Sequence, residues 1–152
     1  MDRDGTIVTD VPYNGNPDLV RPVRGARNAL ARLRAAGLRL AVVSNQSGIG
    51  RGRISAADVE CVNRRVEELL GHFDAWYYCP HAPQDGCDCR KPQPRLLREA
   101  AYHLGVQPRD VAVIGDKESD MQAARNAGMT GIKVSGARTL ADAVDEIVRP
   151  LN

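Results

Sequence analysis

The chain has 152 residues, of which 43% are hydrophobic and 26% charged, and a formal net charge of +2. A chain of this length suits one domain that buries roughly two thirds of its unfolded surface, and its proportions are those of an ordinary soluble globular protein. The near-balanced charge and scattered arginines speak against a nucleic-acid binder, whose basic residues concentrate on one face. No apolar run reaches membrane-spanning length and no signal peptide precedes the first motif, so the cytoplasm is the expected compartment and a monomer the expected state.

In chain order, Met1-Asp2-Arg3-Asp4-Gly5-Thr6 places two carboxylates one residue apart. In an extended stretch, residues i and i+2 project to the same side, so Asp2 and Asp4 can serve one site. Gly5 then permits a sharp turn. A carboxylate nucleophile with a second carboxyl for acid–base work suits phosphoryl transfer through an aspartyl-phosphate, although Asp and Gly also make up ordinary turns. Residues 7–22, with three prolines and two asparagines, read as a long loop. Residues 24–36 predict a helix closed by Gly37. The apolar run 38–43 predicts a buried strand that ends in Ser44-Asn45 and leads into a glycine-rich loop reaching Gly52.

Ser55, with Asp58 three residues on, resembles a capping box that opens a helix to about residue 70. A short strand is expected at 75–78, a helix at 94–104, a strand at 111–114, a helix ending at Ala127, a strand at 132–134, and a last helix capped by Thr139 and running to about residue 148. Strands alternating with helices predict an α/β fold with a mainly parallel sheet covered on both faces, over a single domain of residues 1–152. Polar loops follow the strands at Ser44, Cys79 and Gly115, so the unusual residues gather at the carboxyl edge, where such sheets bind ligands.

Cys79, His81, Cys87 and Cys89 form C-x-H-x5-C-x-C. Three thiolates and an imidazole complete a tetrahedral zinc shell with no position open, which marks a structural rather than a hydrolytic metal. The other reading is a cluster of free thiols in a reducing compartment. Asp116 directly ends a strand and can ligate magnesium together with Asp2; Asp120 also fits a helix N-terminus, which favours acids. Ser44 can hold phosphoryl oxygens or serve a simple turn. Lys91 can neutralise both a nucleophile and a phosphate, or stand as a solvated surface lysine.

Asp2-x-Asp4-Gly5-Thr6, Ser44-Asn45, Lys91 and Gly115-Asp116-x3-Asp120, in that order, resemble the haloacid dehalogenase superfamily of phosphatases. The stretches SNQSGIGRG, CPHAPQDGCDCRKP and GDKESDMQAA are similar to its zinc-loop branch, which holds D-glycero-D-manno-heptose 1,7-bisphosphate 7-phosphatases and histidinol-phosphate phosphatases. The resemblance implies a Rossmann-like three-layer sandwich without a separate cap domain, with the zinc loop at residues 79–89 helping to roof the site. It implies that Asp2 attacks phosphorus and that Asp4 protonates the leaving group and then activates water. The Asp2 carboxylate, the Asp4 carbonyl and Asp116 are implied to hold magnesium, with Asp120 behind them, and Ser44 and Lys91 to hold the transferring phosphoryl group. Arg90, Asp10, Tyr13, Asn45 and Lys117 are implied on the substrate side.

The resemblance also implies an apolar first strand at the centre of the sheet, where this sequence has only Met1 before Asp2. The first strand is therefore expected to be missing, its neighbours to flank a gap, and Asp2 to hang from a frayed terminus. The leading reading is a magnesium-dependent phosphatase of a small phosphorylated metabolite, with heptose bisphosphate favoured over histidinol phosphate. The alternative from another class is an inactive binding module stabilised by zinc.

Overall fold

A computed structural model describes residues 1–149; the last three residues of the expected domain, 150–152, lie outside the described residues. Among the described residues, four strands alternate with five α-helices: α1 (Ala26–Ala35), β1 (Ala41–Asn45), α2 (Ala56–Leu70), β2 (Ala75–Cys79), α3 (Arg95–Leu104), β3 (Ala112–Gly115), α4 (Glu118–Ala127), β4 (Thr130–Lys133) and α5 (Leu140–Val148). β1 pairs in parallel with β2, Ala41 opposite Ala75, and β3 pairs in parallel with β4, Ala112 opposite Thr130. Leu30, Leu33, Val62, Val66 and Val144 of α1, α2 and α5 pack with Val42 and Ile114 on one face. Leu97, Ala100, Ala123 and Ala124 of α3 and α4 pack with Val43 and Val113 on the other. This is the expected three-layer arrangement. None of the helices among the described residues is long and apolar enough to cross a membrane.

The helix ends follow their local chemistry. Ser55 accepts from the Asp58 N–H while Asp58 accepts from the Ser55 N–H, and Thr139 and Asp142 repeat the arrangement. The strand expected at 38–43 begins three residues late. Gly37 turns left-handed at φ 80°, and the Leu38 N–H is spent on Leu33 O at 3.1 Å, closing α1. Leu40 then donates to the Asp74 carboxylate, and only from Ala41 does the ladder to β2 run.

The expected gap is present, but the expected frayed terminus is not. β2–β1 and β3–β4 form separate two-stranded sheets, and Met1 and Asp2 bridge them. The Met1 amine donates to Ala41 O at 2.8 Å, the Val43 N–H to Met1 O at 2.9 Å, and the Asp2 N–H to Ile114 O at 2.9 Å. Bonded from both sides, Asp2 is 7% exposed. Below this bridge an apolar cavity of about 280 Å³ separates β1 from β3, lined by Met1, Ala41, Val43, Leu97, Ala112 and Ile114 among others. The loop at 7–22 is anchored by Ile7 and Val8, which are buried in the core, and by backbone bonds from Thr9 to Arg21 and from Val23 to Ile7.

Candidate active site and metal centre

Two strand ends converge on Asp2. Met1 and Asp2 lie between β1 and β3, so Asp2 emerges beside Ser44 near the end of β1 and beside Asp116 just past β3. Lys91 reaches in from the segment between the Cys/His loop and α3. Its Nζ contacts Asp2 Oδ1 at 3.0 Å, Asp120 Oδ1 at 2.6 Å and Val43 O at 2.7 Å, and the residue is 4% exposed. Burial disfavours the charged lysine, but the two carboxylates outweigh it and raise the Lys91 pKa. The surface-lysine reading is thereby excluded. Asn45 holds the Lys91 backbone at both ends: its Oδ1 accepts from Lys91 N–H at 3.0 Å and its Nδ2 donates to Lys91 O at 3.2 Å.

Asp120 serves two partners. One oxygen meets Lys91 and the other accepts from the Lys117 N–H at 3.1 Å, so the helix-cap reading and the site reading both hold. Asp2, Asp116 and Asp120 bring carboxylate oxygens within 4.8 Å of one another. Burial, followed by the charge of Asp2, pushes the Asp116 carboxyl up to about 6, and Asp116 also shares a hydrogen bond with Asp2. Three carboxylates around one lysine leave excess negative charge, which a cation would neutralise. Thr6 donates to Asp116 Oδ1 at 3.2 Å. Gly5 is obligatory at this crossing, because its φ is 78° and a Cβ there would lie 2.3 Å from Asp116 Oδ2.

Asp4 stands on the solvent side of Asp2, at one wall of a polar cavity of about 240 Å³ that Asp10, Tyr13, Asn45 and Lys117 also line. Four of the five expected substrate-side residues therefore meet there. Arg90 is not among the lining residues; its Nη1 is buried without a hydrogen-bond partner. Ser44 is buried and accepts from Gln46 Nε2 at 3.3 Å.

The second cluster is Cys79, His81, Cys87 and Cys89, whose ligating atoms also lie within 4.8 Å of one another. Cys79 Sγ is 3.1 Å from Cys89 Sγ and 3.6 Å from Cys87 Sγ, and His81 Nδ1 is 3.4 Å from Cys79 Sγ and 3.3 Å from Cys89 Sγ. A tetrahedral zinc shell with Zn–S bonds of about 2.3 Å has sulfur–sulfur edges of about 3.7 Å, close to these separations. Burial pushes the Cys79 thiol up to about 12. At Cys87 burial acts in the same direction, but the Cys89 and Arg90 N–H groups lower it to about 7. The loop is bonded to the strand-end loop: Gln46 N–H donates to Cys79 O and Gly50 N–H to Pro80 O, both at 2.8 Å.

Residues 2–128 match the model of the haloacid dehalogenase-like hydrolase family. The chain belongs to that family. It is 40% identical over 96% of its length to D-glycero-beta-D-manno-heptose-1,7-bisphosphate 7-phosphatase of Pseudomonas aeruginosa, covering 86% of that protein. It is 39% identical over 88% of its length to the Escherichia coli K12 protein of the same name, covering 75% of it. Among solved structures, D,D-heptose 1,7-bisphosphate phosphatase from B. bronchiseptica, complexed with magnesium and phosphate, superposes with a TM-score of 0.87 at 30% identity. That superposition covers 97% of this chain and 96% of that one.

Sequence reasoning missed Arg3, Gln46 and Asn63. Arg3 is 1% exposed and bonds Asp4, and Gln46 Nε2 donates to Asp4 Oδ2 at 3.0 Å. The signal for Arg3 was present, a cation between two functional acids. Nothing in the order of residues marked Asn63, which lies on α2 sixty positions away.

Proposed function

We propose that this chain is a magnesium-dependent phosphatase that hydrolyses the 7-phosphate of D-glycero-D-manno-heptose 1,7-bisphosphate through an aspartyl-phosphate on Asp2. The observation that carries the reading is the buried Asp2–Lys91 pair at 3.0 Å, set at converging strand ends beside Asp116. Residues 1–152 serve as one phosphatase domain with a zinc loop at 79–89. The four thiolate and imidazole ligands call for a reducing compartment, the cytoplasm.

Asp2, Asp116 and the Asp4 carbonyl would hold magnesium, since Asp120 already serves Lys91 and the Lys117 N–H. Bound there, the ion supplies positive charge to the phosphoryl oxygens. Lys91 orients Asp2 through Oδ1 and adds its own charge on the phosphoryl side, together with Ser44. The Asp2 carboxylate attacks phosphorus, the bond from phosphorus to the sugar oxygen breaks, and Asp4 gives that oxygen a proton. Asp4 then takes a proton from water as the water attacks the phosphoryl group. Phosphate leaves and Asp2 is restored. Asp10, Tyr13 and Lys117, on the walls of the polar cavity, meet the sugar. Arg90, next to Lys91 in the chain, is our candidate for the second phosphate, since a guanidinium can grip a phosphate by two bonds.

The test is phosphate release with magnesium from the heptose bisphosphate, from histidinol phosphate and from simple monophosphates. Release from the bisphosphate by loss of its 7-phosphate is expected, and Arg90→Ala should raise KM for the bisphosphate more than for a monophosphate. Preference for histidinol phosphate would overturn the substrate. Absence of any magnesium-dependent release would favour the inactive zinc-stabilised module.

A further inference from the structure

Arg3 is the largest fully buried side chain among the described residues, and it is spent on its own neighbour. Adjacent residues of an extended chain point to opposite sides. Here the backbone turns at Gly5, with φ 78°, and the two side chains converge. Arg3 Nε donates to Asp4 Oδ1 and Nη2 to Asp4 Oδ2, each at 3.1 Å, a two-pronged fit that fixes the plane of the carboxyl as well as its location. The remaining Nη1 donates to Asn63 Oδ1 at 2.7 Å, so α2 anchors the fork. Gln46 Nε2 adds a third bond to Asp4 Oδ2 at 3.0 Å. Asp4 itself faces the polar cavity, its side chain 22% exposed. A buried guanidinium anchored at one end and forked around a partly exposed carboxyl at the other is a mount for that carboxyl.

We propose that Arg3 is a positioning residue for Asp4, and that with Asn63 and Gln46 it aims the Asp4 carboxyl at the leaving-group oxygen. The inference rests on the phosphatase reading above. Its consequence is selective. When the bond from phosphorus to a sugar oxygen breaks, the electron pair goes to an oxygen that needs the proton from Asp4. When the leaving group is 4-nitrophenolate, the oxygen departs as a stable anion and the proton is dispensable. Misaiming Asp4 must therefore slow the transfer to Asp2 from the first substrate and spare that from the second, while the water step, which also uses Asp4, slows equally for both.

The experiment compares kcat and KM on the heptose bisphosphate and on 4-nitrophenyl phosphate for the parent chain, Arg3→Lys and Asn63→Ala. Arg3→Lys keeps the charge and loses the fork; Asn63→Ala keeps Arg3 and loses its anchor. For Arg3→Lys, kcat/KM on the sugar phosphate should fall by about 100-fold, the low end of what a positioned acid contributes. On 4-nitrophenyl phosphate kcat/KM, which reports only the steps up to loss of the leaving group, should stay within about threefold. Asn63→Ala should show the same pattern more weakly, and it carries the test if Arg3→Lys fails to fold. Equal losses of kcat/KM on the two substrates, or no loss on either, would overturn the positioning role. A parent chain that hydrolyses neither substrate would instead overturn the phosphatase reading, and this inference with it.

Discussion

The molecule holds two clusters of ligating side chains, and they are built in opposite ways. Cys79, His81, Cys87 and Cys89 come from eleven consecutive positions, 79–89. Asp2, Lys91, Asp116 and Asp120 come from three stretches more than twenty positions apart. The first cluster needs only a loop that closes on itself, while the second exists only when β1, Met1–Asp2 and β3 lie side by side. The two also differ in charge balance. In the second, two carboxylates contact one lysine and Asp116 stands beside them, held up to about 6 by burial and the charge of Asp2. The first is set for a cation that would bind all four of its members. We read the local cluster as structural and the assembled one as chemical, and each can be disrupted separately.

The largest effect should come from the assembled cluster. Asp2→Asn removes the nucleophile and keeps the shape, so turnover should fall by more than about 1000-fold. Lys91 retains Asp120 at 2.6 Å, and the fold should survive with a thermal midpoint within a few degrees of the parent. Phosphate-release rates and a melting curve check both, and near-parent turnover would remove Asp2 from the chemistry.

A middling effect should come from the local cluster. Cys87→Ser, or removal of metal by a chelator, should lower the thermal midpoint and the zinc content, expected to be about one per chain in the parent. Activity should fall only in part, because the coupling runs through backbone bonds from Cys79 and Pro80 to Gln46 and Gly50. Metal analysis and melting curves measure this. Full activity after complete loss of zinc would show that the loop does not help to shape the site.

The smallest effect is the pH dependence of cation binding. The Asp116 carboxyl is raised from 3.8 to about 6 by burial and then by Asp2. A raised carboxyl favours the protonated folded state, so in the metal-free chain stability falls as pH rises from 3.8 through about 6. Magnesium needs the ionised form and reverses that loss. The rise in thermal midpoint on adding magnesium should thus be smaller at about pH 5 than at about pH 7.5. An equal rise at both would separate Asp116 from the cation.

Much of this could be read from residue order alone. The Cys/His cluster, the capping pairs Ser55–Asp58 and Thr139–Asp142, and the alternation of strands and helices are local or periodic signals, determined by short-range geometry. The succession Asp2, Ser44, Lys91, Asp116 was legible only through its resemblance to the motif order of a family. The late start of β1 was less legible, because Leu38 had to choose between the strand and the closing turn of the helix. What only the tertiary structure decided were the partnerships across the sheet: Lys91 between Asp2 and Asp120, Asn45 bound to the Lys91 backbone, and Asp2 held between two strands. Arg3, running from Asp4 to Asn63 on α2, belongs with them. A buried charge must find its partners wherever packing brings them, and packing distances are not written in sequence spacing.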